Sequence, residues 1–100
     1  MAATRPLVLK LGGELLEDPS RLSATVSAVA RMAGADAGHP LVVVHGGGKE
    51  IDAALRAAGI EKRQVDGLRI TDERTLDVVV AVLAGLVNTR LTGKLVAAGV

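Results

Sequence analysis

The chain has 100 residues and a mass of 10.2 kDa, enough for one small hydrophobic core and no second domain. Apolar residues make up 49% and charged residues 23%, too apolar for a disordered segment and too charged for a membrane bundle. Twelve basic residues against eleven acidic ones leave a formal charge of +1. No broad electrostatic field therefore draws nucleic acid or an anionic bilayer to it, and any anion must be caught locally. The lack of cysteine removes disulfides and thiolate metal sites, and two histidines without suitably spaced carboxylates give no metal site. Without Phe, Trp or Tyr there is no platform for base stacking, and the core must be aliphatic.

The opening Met-Ala-Ala-Thr-Arg-Pro has no apolar h-region with a cleavage site, so a cytoplasmic protein is expected. Residues 6–13, Pro-Leu-Val-Leu-Lys-Leu-Gly-Gly, form a short apolar run that stops at two glycines, as a buried strand with a tight exit does. Asp18-Pro19 then offers an N-cap and a first-turn proline, and Leu22, Val26, Val29 and Ala33 recur at helical spacing. Residues 40–48, Pro-Leu-Val-Val-Val-His-Gly-Gly-Gly, repeat the strand-then-glycine plan. Two apolar strands separated by a helix predict a parallel pair joined by a right-handed crossover, with helices over both sheet faces. The expected class is α/β, a mainly parallel sheet sandwiched between helices.

From Lys49 to Ala58 a second helix is expected, with Ile51, Ala54, Leu55 and Ala58 on one stripe and Gly59 as its left-handed stop. The stretch from Glu61 to Ile70 reads as a short hairpin or an irregular loop. Thr71 or Asp72 then caps a long helix whose expected buried stripe is Leu76, Val79, Val80, Leu83, Val87, Leu91 and Leu95, closing at Gly99. Gly85 and Gly93 inside it each cost about 1 kcal/mol relative to alanine, for which close packing is the expected compensation. The longest uncharged run, Val78 to Thr89, is too short to cross a bilayer. The chain stops where an α/β pattern would begin its next strand, so it reads as part of a longer protein, unstable on its own because sheet edges and helix stripes stay uncovered.

Lys10 is the least expected residue, an ammonium within an apolar run. Desolvation without a partner would force it toward neutrality, so its place at the carboxyl end of a strand points to a bound anion. The plainer alternative is a strand-end lysine that reaches water or pairs with Glu14. Gly12-Gly13 and Gly46-Gly47-Gly48 lie side by side if their strands are neighbours. Positive φ angles there would turn successive N–H groups into a shared cleft, aided by a helix N-terminus; otherwise the runs are only tight turns. Neither G-x-x-x-x-G-K-[ST] nor G-x-G-x-x-G is present, because Glu50 follows Lys49 and Ile51 stands where the third glycine would be. Arg69, just ahead of the long helix, opposes the helix dipole and suits a bidentate carboxylate; a solvated arginine or a pair with Asp66 or Asp72 is the ordinary alternative. His45 reads as a turn-orienting residue without a proton-transfer role. Lys49, Glu50 and Asp52 read as solvated.

Four blocks in order, Lys10-Leu11-Gly12-Gly13, His45-Gly46-Gly47-Gly48, Gly67-Leu68-Arg69-Ile70-Thr71-Asp72 and Leu83-Ala84-Gly85-Leu86-Val87-Asn88, resemble the N-terminal portion of the N-acetylglutamate kinases, within the amino-acid kinase family. The resemblance spans nearly the whole chain. It implies a three-layer αβα fold of which residues 1–100 are the N-terminal, acyl-acceptor-binding portion, ending before the nucleotide-binding portion. It also implies transfer of the γ-phosphoryl group of ATP to the γ-carboxylate of N-acetyl-L-glutamate in arginine biosynthesis. Lys10 matches the lysine that stabilises the transferring phosphoryl group, and Gly12 and Gly13 match a phosphate-holding turn. Gly46, Gly47, Gly48, Leu68 and Arg69 match substrate-binding positions. Mg2+ would be held by ATP phosphates and water, no tightly bound cofactor is implied, and a homodimer or higher homo-oligomer is expected. The related readings are an N-acetylaminoadipate kinase and a noncatalytic arginine-sensing kinase-like domain. Arginine inhibition of the kind tied to an N-terminal helical extension is not expected, since only Met1 to Arg5 precede the first strand.

Overall fold

The computed structural model describes residues 5–34 and 38–100, so most of the segment ahead of the first strand lies outside the described residues. Strands β1 (Leu7–Leu11) and β2 (Leu41–His45) pair in parallel, from Leu7 opposite Leu41 to Leu11 opposite His45. Alternation turns Leu9, Leu11 and Val43 toward the helices, as a half-buried strand requires. The opposite face carries Val8, Val42 and Val44, which stay 61%, 46% and 43% exposed, together with exposed Lys10. The expectation of helices over both faces thus fails among the described residues. So does that of a buried Lys10, because the pleat places it on the uncovered side.

A single turn, α1 (Glu14–Glu17), buries Leu16 and leads into α2 (Pro19–Met32). Asp18 caps α2 by accepting hydrogen bonds from the N–H and Oγ–H of Ser20 at 2.9 and 3.0 Å, which hold its carboxyl below the usual carboxylate range. Leu22, Val26 and Val29 are buried. Ala33 is not, because the helix has already ended there with φ −87° and ψ 1°. Helix α3 (Gly48–Ala57) buries Ile51 and Leu55, whereas Ala58 is its exposed C-cap.

Gly59 stops α3 as expected. Its φ is +71°, and the N–H groups of Gly59 and Ile60 donate to the carbonyls of Arg56 and Leu55, the double bond that closes a helix on a left-handed residue. Gly59→Ala is expected to cost about 1–2 kcal/mol, the strain of an L-residue in that region, read as a lower urea midpoint of the full-length protein at unchanged slope.

Residues 61–70 form the hairpin. Strands β3 (Gln64–Val65) and β4 (Leu68–Arg69) pair antiparallel around Asp66 and Gly67, whose φ angles of 51° and 77° make the two-residue turn that Asp-Gly favours.

The long helix α4 (Glu73–Ala97) starts at Asp72, whose side chain accepts from the Thr75 N–H at 2.9 Å. Its middle, Ala81–Val87, is π-helical, and the predicted stripe holds in part: Val87 and Leu91 are buried and Val79, Leu83 and Leu95 pack against the core, but Leu76 and Val80 do not. The buried positions are Thr75, Val82, Val87 and Leu91, while Leu76 and Val80 are 49% and 54% exposed. A π stretch bonds i to i+5 and inserts an extra residue into the turn. The step from Val82 to Val87 is accordingly five, and Leu76 and Val80 ahead of it are rotated out of the phase that Val87, Leu91 and Leu95 set. Among the described residues a Cβ on Gly85 or Gly93 would meet no atom within 4 Å, so close packing does not compensate them there. By length and composition α4 suffices to cross a bilayer, so the expectation drawn from the uncharged run does not extend to the whole helix. Val82, Val87 and Leu91 join Leu11, Leu16, Leu22, Val26, Ile51 and Leu55 in one core cluster.

Candidate functional site

Because β1 and β2 are in register, their glycine runs leave the sheet together. The Gly46 N–H donates to the Leu11 carbonyl at 3.2 Å, and beyond it the two turns meet backbone to backbone. A Cβ on Gly13 would stand 3.3 Å from the Gly47 nitrogen. One on Gly46 would stand 3.8 Å from both the Gly13 nitrogen and the Lys10 Nζ. One on Gly47 would meet Leu83 Cδ2 at 2.9 Å and Val87 Cγ2 at 3.3 Å, in the π-helical stretch. Lys10 thus curls over the second turn from the open sheet face. Among the described residues it forms no ion pair, with Glu14 or any other carboxylate.

The glycines serve close approach rather than handedness. Among the described residues the left-handed glycines are Gly38, Gly59, Gly67 and Gly99, and Gly13 itself has φ −57° and ψ −29°. The expected positive-φ nest is therefore replaced by two turns in close contact at Gly13 and Gly47, while a Cβ on Gly12 or Gly48 would meet nothing within 4 Å. Within the described residues, no backbone carbonyl accepts from the N–H groups of Gly12, Gly13, Gly47 or Gly48 in these turns. Those amides, the N-terminus of α3 and the Lys10 ammonium leave uncompensated positive charge at the carboxyl ends of the strands, a setting that attracts a polyanion.

The second turn is tied to α4. The His45 Nδ1 lies 3.1 Å from the Gly46 carbonyl oxygen and its Nε2 lies 3.1 Å from Asn88 Nδ2. Asn88 is the first residue past the π stretch. Glu50, expected in solvent, instead accepts from Arg90 Nη1 at 2.8 Å and is 17% exposed. Its Oε2 is buried without a partner.

Arg69 is held by neither Asp66 nor Asp72. Its Nη2 donates to Asp52 Oδ1 at 2.7 Å, and its side chain is 19% exposed. The other Asp52 oxygen accepts from Lys62 Nζ at 3.0 Å. Asp52 is thus an organising group rather than a solvated one, and the cluster of one carboxylate and two cations keeps one positive charge in excess. Arg69 Nη1 is buried and has no partner. Leu68, its neighbour on β4, is 75% exposed; the structure does not bring it together with Arg69, since adjacent strand residues face opposite ways.

The Arg69 hydrogen bond, assisted by Lys62, holds the Asp52 carboxyl below the usual carboxylate range against the opposing effect of partial burial. A carboxyl whose pKa is lower when folded stabilises the protein above its unfolded pKa, and that contribution is lost as pH falls through the folded value. The stability difference between the full-length protein and its Asp52→Asn variant is therefore expected to be flat above about pH 5 and to shrink below about pH 4. Urea midpoints across that range check it.

A parallel strand pair whose carboxyl ends carry bare amides, a lysine and a helix N-terminus defines an α/β protein with a cationic turn cluster suited to an anion. More narrowly, the model of the amino acid kinase family matches residues 5–100, and the chain belongs to that family. The acetylglutamate kinase of Sorangium cellulosum is 48% identical over 99 residues, covering 97% of this chain and 33% of that protein. The acetylglutamate kinase of Chloroflexus aurantiacus is 42% identical over 93 residues, covering 93% and 35%. The chain thus spans about a third of the length of these curated relatives. Among solved structures, smu.665 of Streptococcus mutans superposes with a TM-score of 0.74 at 31% identity over 93% of this chain and 36% of its own. An N-acetylglutamate synthase from Neisseria gonorrhoeae, complexed with coenzyme A and L-arginine, gives 0.57 at 27% identity, covering 94% and 20%.

Sequence reasoning missed Asp52, Glu50, Arg90 and the π stretch. Asp52 had a signal, standing one turn past Gly48 on the same helix face. The π stretch had none before its burial pattern was known.

Proposed function

We propose that this chain is the acyl-acceptor-binding, N-terminal portion of an acetylglutamate kinase that forms N-acetyl-L-glutamyl 5-phosphate from N-acetyl-L-glutamate and ATP in arginine biosynthesis. The observation that carries this reading is the meeting of the two glycine turns under Lys10. In the reaction the γ-carboxylate oxygen attacks the γ-phosphorus, the bond to the β,γ-bridging oxygen breaks, and ADP leaves. The nucleophile is already ionised at neutral pH, so no general base is required and catalysis rests on alignment and positive charge around a loose transition state. Lys10 and the amides of Gly12 and Gly13 face the transferring phosphoryl group. Gly46, Gly47 and Gly48 border the acceptor, with Leu68 at the rim, and Arg69 offers Nη1 to a substrate carboxylate.

Magnesium would travel with the nucleotide, held by phosphate and water oxygens. Among the described residues no three potential ligands cluster, so no residue of this chain is assigned to it. In the whole protein the exposed face of β1 and β2 would be covered to complete a three-layer sandwich, in a cytoplasmic homodimer or larger homo-oligomer. An arginine-sensing, noncatalytic domain is the second reading, favoured by the likeness to the synthase; the intact Lys10 and glycine turns support the kinase.

The test is acyl phosphate formation by the full-length protein with Mg-ATP, trapped as the hydroxamate. Turnover is expected with N-acetylglutamate and weaker turnover with N-acetylaminoadipate, since one methylene discriminates by about 1–3 kcal/mol. Absence of hydroxamate with either would overturn the reading.

A further inference from the structure

We infer that His45 is a positioning residue for the Gly47 amide, locked in one tautomer by Asn88; this rests on the reading above. A carbonyl oxygen can only accept, so at 3.1 Å from the Gly46 oxygen His45 Nδ1 must carry the hydrogen. In the neutral ring Nε2 then has a lone pair, and it accepts from Asn88 Nδ2 at 3.1 Å. Thr92 Oγ1, at 3.5 Å from Asn88 Oδ1, is consistent with that orientation of the amide. The histidine therefore bridges α4 to one peptide plane of the glycine turn.

That peptide plane has a second end. In a trans peptide the C=O and the following N–H point in opposite directions, so fixing the Gly46 oxygen against His45 directs the Gly47 N–H away from the ring. The Gly47 nitrogen is the atom nearest a Cβ built on Gly13, at 3.3 Å. The amide thus lies beside the first glycine turn, and no backbone carbonyl among the described residues accepts from it. The flanking groups are fixed independently, since the Gly46 N–H donates to the Leu11 carbonyl and the Gly47 carbonyl accepts from the Ile51 N–H, but among the described residues the histidine supplies the hydrogen bond to the Gly46–Gly47 peptide itself.

A donor pre-aimed at developing charge acts on the transition state more than on ground-state binding. In the full-length enzyme, His45→Leu is expected to lower kcat by about 10–100-fold, as for a displaced donor, with both KM values within about threefold. His45→Asn, whose amide nitrogen can replace Nδ1, should recover most of the loss; Asn88→Ala should lose less than His45→Leu. Imidazole nitrogen NMR of the full-length protein should show the Nδ1–H tautomer of His45, and the Gly47 amide resonance should move with phosphate in the wild type and move less in His45→Leu. The inference is overturned by an Nε2–H tautomer, by kcat unchanged in His45→Leu, or by an effect confined to KM. The NMR readout needs no turnover, so an inactive wild type would count against the kinase reading alone.

Discussion

Replacing Lys10 with alanine in the full-length protein is expected to lower kcat by about 10²–10³-fold, equivalent to about 3–4 kcal/mol of lost charge stabilisation, while leaving thermal stability almost unchanged. The two expectations come from the same geometry. Lys10 is exposed on the uncovered face of β1 and makes no ion pair among the described residues, so its removal leaves no cavity and orphans no partner. Its ammonium nevertheless lies over Gly46, beside the Gly13 and Gly47 amides, where a transferring phosphoryl group would gather negative charge. Lys10→Met keeps the aliphatic stem and should be as slow as alanine. Lys10→Arg keeps the charge but replaces a compact ammonium by a wider planar fork, so only partial rescue is expected. Activity, melting temperature and the KM for ATP in the three variants check this; equal kcat in wild type and Lys10→Met would remove the lysine from the mechanism.

How much of this was legible beforehand depends on the range over which each feature is decided. Strands β1 and β2 announce themselves because an apolar run ending at glycine is a local signal, and their parallel pairing follows from the helix between them. Asp18-Pro19, Asp66-Gly67, Asp72 and Gly59 likewise act through neighbours two to five residues away, and each does what its type favours. The stripe of α4 holds at Val79, Leu83, Val87, Leu91 and Leu95 and fails at Leu76 and Val80, because a single helical period does not carry through the change of pitch between Val82 and Val87. The partner of Arg69 lies 17 residues back on another helix, and two nearer aspartates were better candidates by distance along the chain. Lys10 shows the limit in the other direction. Its residue type suggested an anion by way of a burial that the sheet does not impose.

Gly47→Ala is expected to cost about 1–3 kcal/mol of stability, the range for overpacking a filled site, and to remove activity with it. The new methyl would stand 2.9 Å from Leu83 Cδ2 and 3.3 Å from Val87 Cγ2. Leu83 can answer by rotating. Val87 cannot, since it is β-branched and only 2% exposed, so the glycine turn must move away from α4. Moving the turn shifts the Gly47 N–H and pulls on the contact between His45 and Asn88. Gly47→Val should be worse still, and Leu83→Ala should relieve part of the Gly47→Ala cost, a coupling of about 0.5–3 kcal/mol in a double-mutant cycle. Gly12 and Gly48 are the controls, because a Cβ there meets nothing within 4 Å and neither is left-handed. Alanine at either should therefore leave the urea midpoint close to wild type. If activity falls there without a change in stability, the space those glycines keep open is space for a ligand to approach the main chain. If activity also survives, only Gly47 and Gly13 need to be glycine, and the requirement is packing between the two turns.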